Sequence, residues 1–269
     1  MIIGGKQFDT EHETYIMGIL NVTPDSFSDG GKFIGSDEAL WHVGDMIRQG
    51  ADIIDVGGES TRPGYSMISD AEEIDRTAVI IERIKEEYDI PVSLDTYKSS
   101  VAEAGILAGA DLINDIWGLK YDEKMAGVIA KYGVACCLMH NRKEAVYQDF
   151  LEDVLRDLRQ SVLLARESGI DDKRIILDPG VGFGKDLHQN LLITNRLEYL
   201  HELGYPILLG TSRKSMIGLT LDLPTDERVV GTVATTVLAV QKGCSFVRVY
   251  DVRENQQAIR MARAILAEA

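Results

Sequence analysis

The stretch Ile175-Ile-Leu-Asp-Pro-Gly-Val-Gly-Phe-Gly-Lys185 decides the fold. Its apolar run stops abruptly at Asp178, a proline and three glycines turn the chain, and helical periodicity resumes over Leu191–Leu203. The same unit recurs along the whole chain. Apolar, β-branched runs lie at Tyr15–Leu20, Asp52–Val56, Val92–Leu94, Leu112–Ile113, Val134–Met139, Ile175–Leu177, Ile207–Leu209 and Phe246–Val249. Each passes into a polar or Gly-rich turn and then into a helical stretch. Ser69-Asp-Ala-Glu72 reads as a capping box opening a helix from Ala71 to about Tyr88. Val154–Glu167 reads as another amphipathic helix. Pro91, Gly109, Gly133, Gly204 and Gly243 fall at or just after helix ends, where the chain turns back.

Eight such units in 269 residues, close to the roughly 250 typical of the fold, predict an α/β (β/α)8 TIM barrel, one domain over residues 1–269. A doubly wound open sheet is the alternative. It needs no particular strand number, so a count of eight favours the barrel. No linker, low-complexity tract or charge block marks a boundary.

Composition narrows the function. Lys plus Arg is 28 against 43 for Asp plus Glu, a net charge of −15. A nucleic-acid binder carries the opposite balance, so no nucleic acid is expected as partner, and any anionic ligand needs a local basic cluster. The acidity itself reads as solvated helix faces. The first residues show no charged segment followed by an apolar one, and no apolar run is long enough to span a bilayer, so a cytoplasmic protein without a membrane partner is expected. Cys136, Cys137 and Cys244 sit in apolar runs with no CxxC spacing, as buried reduced thiols do.

In a barrel of this kind the site lies where strands end. The runs end, in order, in Asn21; Asp55 and Gly57-Gly-Glu-Ser-Thr-Arg-Pro-Gly64; Asp95-Thr96; Asn114-Asp115; His140-Asn-Arg142; Asp178 to Lys185; Gly210-Thr-Ser-Arg-Lys-Ser215; and Arg248-Val-Tyr-Asp251. Asp95, Asn114 and Asp178 could read a heterocycle edge of alternating donors and acceptors. Arg62, Arg213, Lys214 and Arg248 could hold an anion. One polar strand end means little, since such residues cap helices and build turns. Eight converging on one mouth point to a site. Gly180-Val-Gly-Phe-Gly-Lys185 is neither a Walker loop, with Pro179 and Asp186 at the wrong places, nor a GxGxxG fingerprint. It serves as a tight turn or as a floor on which a flat ring lies close to the backbone.

Taken together, these motifs resemble the dihydropteroate synthase family over nearly the whole chain: Asn21 to Gly31, Asp55 to Gly64, Ser93-Leu-Asp-Thr96, Asn114-Asp115, Leu138-Met-His140, Asp178 to Lys185, Ser212-Arg-Lys-Ser215 and Arg248-Val-Tyr-Asp251. The resemblance implies a transferase of folate biosynthesis and a sulfonamide target. It would join 6-hydroxymethyl-7,8-dihydropterin pyrophosphate to 4-aminobenzoate, giving 7,8-dihydropteroate and pyrophosphate with Mg2+ as cofactor. By the same resemblance Asp95, Asn114, Met139, Asp178, Phe183, Gly210 and Lys214 line the pterin pocket. Asn21, Thr61, Arg62, Arg248 and Tyr250 hold the pyrophosphate, with Asn21 also the metal ligand. Phe27, Thr61, Arg62, Pro63, Ser212 and Arg213 surround the aminobenzoate. Asp95, Lys214 and Arg248 carry catalysis. Thr23–Gly31 becomes a candidate lid. The chemistry agrees: expelling pyrophosphate builds positive charge on the ring, which a buried carboxylate stabilises, and the arylamine is already a nucleophile. The family is usually homodimeric. Apolar faces in Val229–Val240 and Ala258–Leu266 could pack between subunits, although burial on the barrel itself is the simpler account.

Two positions depart from the family pattern. Tyr250 replaces the usual His, exchanging a titratable ring for a neutral phenol that still donates a hydrogen bond. Asn141 replaces a usual Met. Three other readings compete. A methyltetrahydrofolate–corrinoid methyltransferase barrel would share the pterin readers, yet needs neither Ser212-Arg-Lys-Ser215 nor an anion-binding Arg248. A silent pterin-binding protein is a second. A generic phosphate-ester barrel is disfavoured, because the seventh and eighth loops lack a Gly-rich phosphate cup.

Overall fold

The computed structural model describes residues 1–22, 32–59 and 67–268, the first four of the helix at 32–49 by backbone alone. A short hairpin, β1 (Ile2–Ile3) and β2 (Lys6–Gln7), precedes the barrel. Eight parallel strands follow: β3 (Tyr15–Asn21), β4 (Ile53–Gly57), β5 (Val92–Asp95), β6 (Leu112–Asp115), β7 (Ala135–Met139), β8 (Ile175–Asp178), β9 (Leu208–Leu209) and β10 (Phe246–Val249). Their order is β8-β7-β6-β5-β4-β3-β10-β9. A parallel bridge from Leu177 to Ile207 joins β8 to the start of β9 and closes the cylinder. The eight expected runs are these eight strands, and the closed barrel replaces the open-sheet alternative.

Helices α1 (Lys32–Gln49), α2 (Asp70–Glu87), α3 (Ser99–Leu107), α4 (Met125–Tyr132), α5 (Phe150–Glu167), α6 (Leu187–Asn195), α7 (Ser215–Leu221), α8 (Val229–Gln241) and α9 (Val252–Leu266) ring the barrel. Two local expectations need correction. Ser69 does cap α2 by accepting from the Glu72 N–H at 3.2 Å, but the Glu72 carboxylate turns to Arg76 rather than back to the cap. The helix expected over Leu191–Leu203 is two pieces: α6 ends at Asn195, and Leu197–Leu203 winds as 3-10 helix. With three residues per turn, Leu197 and Leu200 share a face, and both are buried.

Strand residues alternate between two environments. One set, including Ile54, Val56, Ile113, Leu138, Leu177, Val247 and Val249, packs beneath the helices in the main core. The other fills the barrel: Met17, Ile53, Leu112, Cys137, Ile176, Leu208 and Phe246 form a separate apolar cluster. Two positions further along the same seven strands stand Ile19, Asp55, Asn114, Met139, Asp178, Gly210 and Arg248. Above the apolar layer the inner face therefore gains Asp55, Asn114, Asp178 and Arg248 in one step, and that step sets the floor of the mouth. Register fixes the level: Asn21 pairs with Gly57, Gly57 with Asp95, and Asp95 with Asn114 across four neighbouring strands.

The hairpin seals the opposite end. Gly4 and Gly5 both have positive φ, as a tight two-residue turn requires. Phe8 packs edge-on to Tyr15 at 4.8 Å between ring centres and lies 5.8 Å from Phe246. Cys136, Cys137 and Cys244 are buried and unpaired. Removing the plug should be felt as lost packing: Phe8→Ala, in equilibrium urea unfolding, is expected to lose about 3–5 kcal/mol. A loss below about 1 kcal/mol would show that the hairpin does not seal the core.

Candidate active site

Arg248, on the inner face of β10, stands at the centre of the mouth. Its Nε donates to Asp55 Oδ2 at 2.6 Å and its Nη2 to Asp95 Oδ2 at 2.7 Å. Asp55 is fully buried and also accepts from Ser93 Oγ at 2.5 Å. Burial opposes the guanidinium charge, but Asp55 and Asp95 outweigh it and hold Arg248 firmly protonated. Asp95 is pushed up from the usual carboxylate range by burial, with Arg248 pulling it back. Its second oxygen, Oδ1, is buried with no hydrogen-bond partner among the described residues. A buried orphan acceptor at a pocket wall is a place for a ligand donor.

The pocket over this centre has a volume of about 290 Å³. All seven residues expected to line a pterin pocket are on its wall: Asp95, Asn114, Met139, Asp178, Phe183, Gly210 and Lys214. So are Ser212, Arg213, Arg248 and Tyr250. Asn21 lies beside it, its Nδ2 donating to Tyr250 Oη at 2.8 Å. Phe27, Thr61, Arg62 and Pro63, and with them the candidate lid Thr23–Gly31, lie outside the described residues.

Each wall residue is held by its own element. Asp178 ends β8 and accepts from the Gly180 N–H at 2.6 Å, which aims the carboxylate upward. Lys214, opposite, donates from Nζ to Val181 O at 2.5 Å and sits 4.8 Å from the centre of the Phe183 ring. Burial lowers its pKa to about 8, opposed by Asp178 and reinforced by Arg248. The Gly-rich turn must be glycine. Gly180, Gly182 and Gly184 all have positive φ. A Cβ on Gly180 or Gly184 would also strike the carbonyl oxygen of His140 or Arg142.

Two residues were absent from the expected site, Asp55 and Asp251. Asp55 appeared only as a strand-end carboxylate; its role is to anchor Arg248. The signal was a charge flanked by isoleucine and valine in a strand buried on both faces, where a carboxylate must find a partner. Asp251 grips Arg213 with both oxygens, one of them 2.9 Å from Nε. Arg213 itself has φ 54, a left-handed backbone uncommon for a non-glycine residue. Tyr250 N–H donates to Ser212 Oγ at 3.2 Å, tying the β9 and β10 loops together. Among the described residues no cluster of three or more His, Cys, Asp or Glu is placed to hold a metal.

Comparisons with known proteins agree with this geometry. Residues 17–250 match the family described as pterin binding enzyme. The dihydropteroate synthase of Clostridium beijerinckii is 61% identical over 99% of both chains. A Clostridium difficile dihydropteroate synthase crystallised in the presence of pteroic acid superposes with a TM-score of 0.94, at 52% identity, covering 96% of this chain and 99% of that one. The Xanthomonas albilineans dihydropteroate synthase with 4-aminobenzoic acid gives a TM-score of 0.90 at 40% identity, over 95% and 94% of the two chains. A barrel with this polar step, this cavity and these relatives belongs to the pterin-binding enzyme family, among the dihydropteroate synthases.

Proposed function

We infer that the chain condenses 6-hydroxymethyl-7,8-dihydropterin pyrophosphate with 4-aminobenzoate, giving 7,8-dihydropteroate and pyrophosphate. The observation that carries this reading is the pairing, in one cavity, of a carboxylate-and-amide wall with an arginine anchored between two buried carboxylates. The first is suited to a flat heterocycle and the second to its anionic leaving group.

Asp178 accepts from the ring N–H and amino group of a 2-amino-4-oxopyrimidine edge, and Lys214 donates to its carbonyl oxygen. Asn114 completes the edge, with Met139 and Phe183 as apolar contacts on the ring. The amine nitrogen attacks the exocyclic methylene, the C–O bond to pyrophosphate breaks, a C–N bond forms, and one amine proton is released. Positive charge builds on the pterin as the leaving group departs, and the free oxygen of Asp95 faces that charge. Arg248 and the Tyr250 hydroxyl take the pyrophosphate. Ser212 and Arg213 take the aminobenzoate, together with Phe27, Thr61, Arg62 and Pro63; Thr61 and Arg62 serve the pyrophosphate as well.

Mg2+ belongs to the same proposal. Donation of the Asn21 amide nitrogen to Tyr250 leaves the amide oxygen as the ligand atom, the type a hard cation prefers. A single protein oxygen is enough when phosphates supply the rest of the sphere. When bound, Mg2+ neutralises charge on the departing pyrophosphate. A homodimer is also proposed: Val230 on α8 and Met261 and Ile265 on α9 are apolar and exposed, so the barrel alone does not bury these faces. No described helix is long and apolar enough to cross a membrane, and cytoplasmic placement is part of the proposal.

The test is pyrophosphate release by the purified chain with Mg2+, expected only when both pterin pyrophosphate and 4-aminobenzoate are present. Release that ignores either substrate, or none at all, would overturn the reading. The Lys214 shift gives a second outcome. The ammonium is the donating form, and its fraction falls as pH rises through about 8. The kcat/KM for the pterin substrate should therefore decline above about pH 8. A profile flat to pH 10, near the ordinary lysine pKa, would remove Lys214 from the donor role.

A further inference from the structure

Behind the Gly-rich turn lies a polar assembly that the reaction, as drawn above, does not use. Lys185 folds back under the loop that precedes it. Its Nζ contacts Gly180 O at 2.9 Å, Phe183 O at 3.0 Å and His140 Nδ1 at 2.8 Å. His140 is fully buried, and its Nε2 lies 3.2 Å from Asp157 Oδ2. Arg142 Nε donates to the same oxygen at 2.7 Å.

The proton positions follow from the partners. Burial pushes the His140 pKa down to about 4, against the Asp157 bond, so the ring is neutral at pH 7. With Nε2–H facing the carboxylate, Nδ1 is left to accept. Burial also lowers Lys185, to about 7, opposed by Asp178 and reinforced by Lys214 and Arg142. Three acceptors at hydrogen-bond distance take three protons, so the ammonium is the form this arrangement holds.

The rest of the loop is fixed from other sides. Tyr147 Oη donates to Gly184 O at 2.6 Å, Gly182 N–H donates to Asn190 Oδ1 at 2.7 Å, and Lys214 holds Val181 O. Lys185 bridges Gly180 and Phe183 of the loop to His140, the residue that follows β7. Phe183 and Gly182 are the part of the loop that faces the cavity.

We propose that Lys185, seated on the His140–Asp157 pair, is a positioning residue for the pterin substrate: it clamps residues 180–184 so that Phe183 stands beside Lys214 and forms the surface on which the ring lies. The clamp rests on the pterin reading of the pocket. It acts on one substrate, because the aminobenzoate residues belong to other loops. A general structural role would impair both substrates together.

Lys185→Met keeps the stem and removes the donors. Its fold is checked by circular dichroism, its pterin affinity by calorimetric titration with 6-hydroxymethyl-7,8-dihydropterin pyrophosphate and Mg2+, and its KM for 4-aminobenzoate at saturating pterin. Loss of charged hydrogen bonds should weaken pterin binding by about tenfold or more, with the aminobenzoate KM within about twofold of the parent. A folded variant that keeps the parent's pterin affinity, or that loses both substrates alike, would overturn the clamp. If Lys185→Met does not fold, a pair of His140 variants decides. His140→Gln retains an acceptor and His140→Leu does not; affinity kept in the first and lost in the second supports the proposal, and equal affinity overturns it. A parent chain that binds no pterin contradicts the functional reading itself, and the clamp with it.

Discussion

A guanidinium inside a barrel is the constraint on which the rest of this structure depends. Arg248 sits where the inner face turns from apolar to polar, and its charge is tolerable only because Asp55 and Asp95 flank it. Removing one partner of such a buried pair costs about 3–5 kcal/mol, so the trio is fixed as a unit. The arrangement gives each member a direction. Arg248 is held toward the mouth, Asp95 keeps one oxygen free, and Asp55 takes no place on the cavity wall at all. Asp55 therefore bears on the cavity through Arg248.

The same alternation explains how one sequence serves both stability and reaction. Phe246 and Arg248 share an inner face two residues apart, as do Ile176 and Asp178, and Leu112 and Asn114. The first of each pair closes the core and the second enters the site. Parallel register then lines up Asn21, Gly57, Asp95 and Asn114 without any loop having to place them. Loops add what strands cannot. The Asp251 carboxylate holds Arg213, whose backbone has a positive φ, and the glycines at 180 and 184 let the turn pack against the His140 and Arg142 carbonyls while Gly182 faces the cavity.

Much of this was legible in the sequence, for physical reasons. Eight apolar runs ending in polar residues survive any error of one or two positions in strand boundaries, so the barrel and its mouth could be read. So could the places of Asp95, Asn114, Asp178 and Arg248 on the mouth, because each lies at or next to the last residue of a strand, and that of Lys214 in the loop after β9. What escaped depends on tertiary pairing. Asp55 looked like one more strand-end carboxylate until Arg248 was placed beside it. The partner of Arg213 lies 38 residues away. The hairpin at Ile2–Gln7 is too short to show a period. The helix break at Arg196 followed from leucines spaced by three, a pattern that α-helix and 3-10 helix share. Phe27 and Thr61 to Pro63 remain with the family resemblance, outside the described residues.

Asp55, buried off the cavity wall, holds Arg248 toward the mouth. Asp55→Asn keeps the shape and removes the charge. Its kcat/KM for the pterin substrate, read beside its thermal midpoint, is the direct measurement. A fall of about tenfold or more in kcat/KM is expected from loss of the charge-assisted hydrogen bond to Arg248, in a variant that remains folded at the assay temperature. A folded Asp55→Asn chain with the parent's kcat/KM would contradict this role of Asp55.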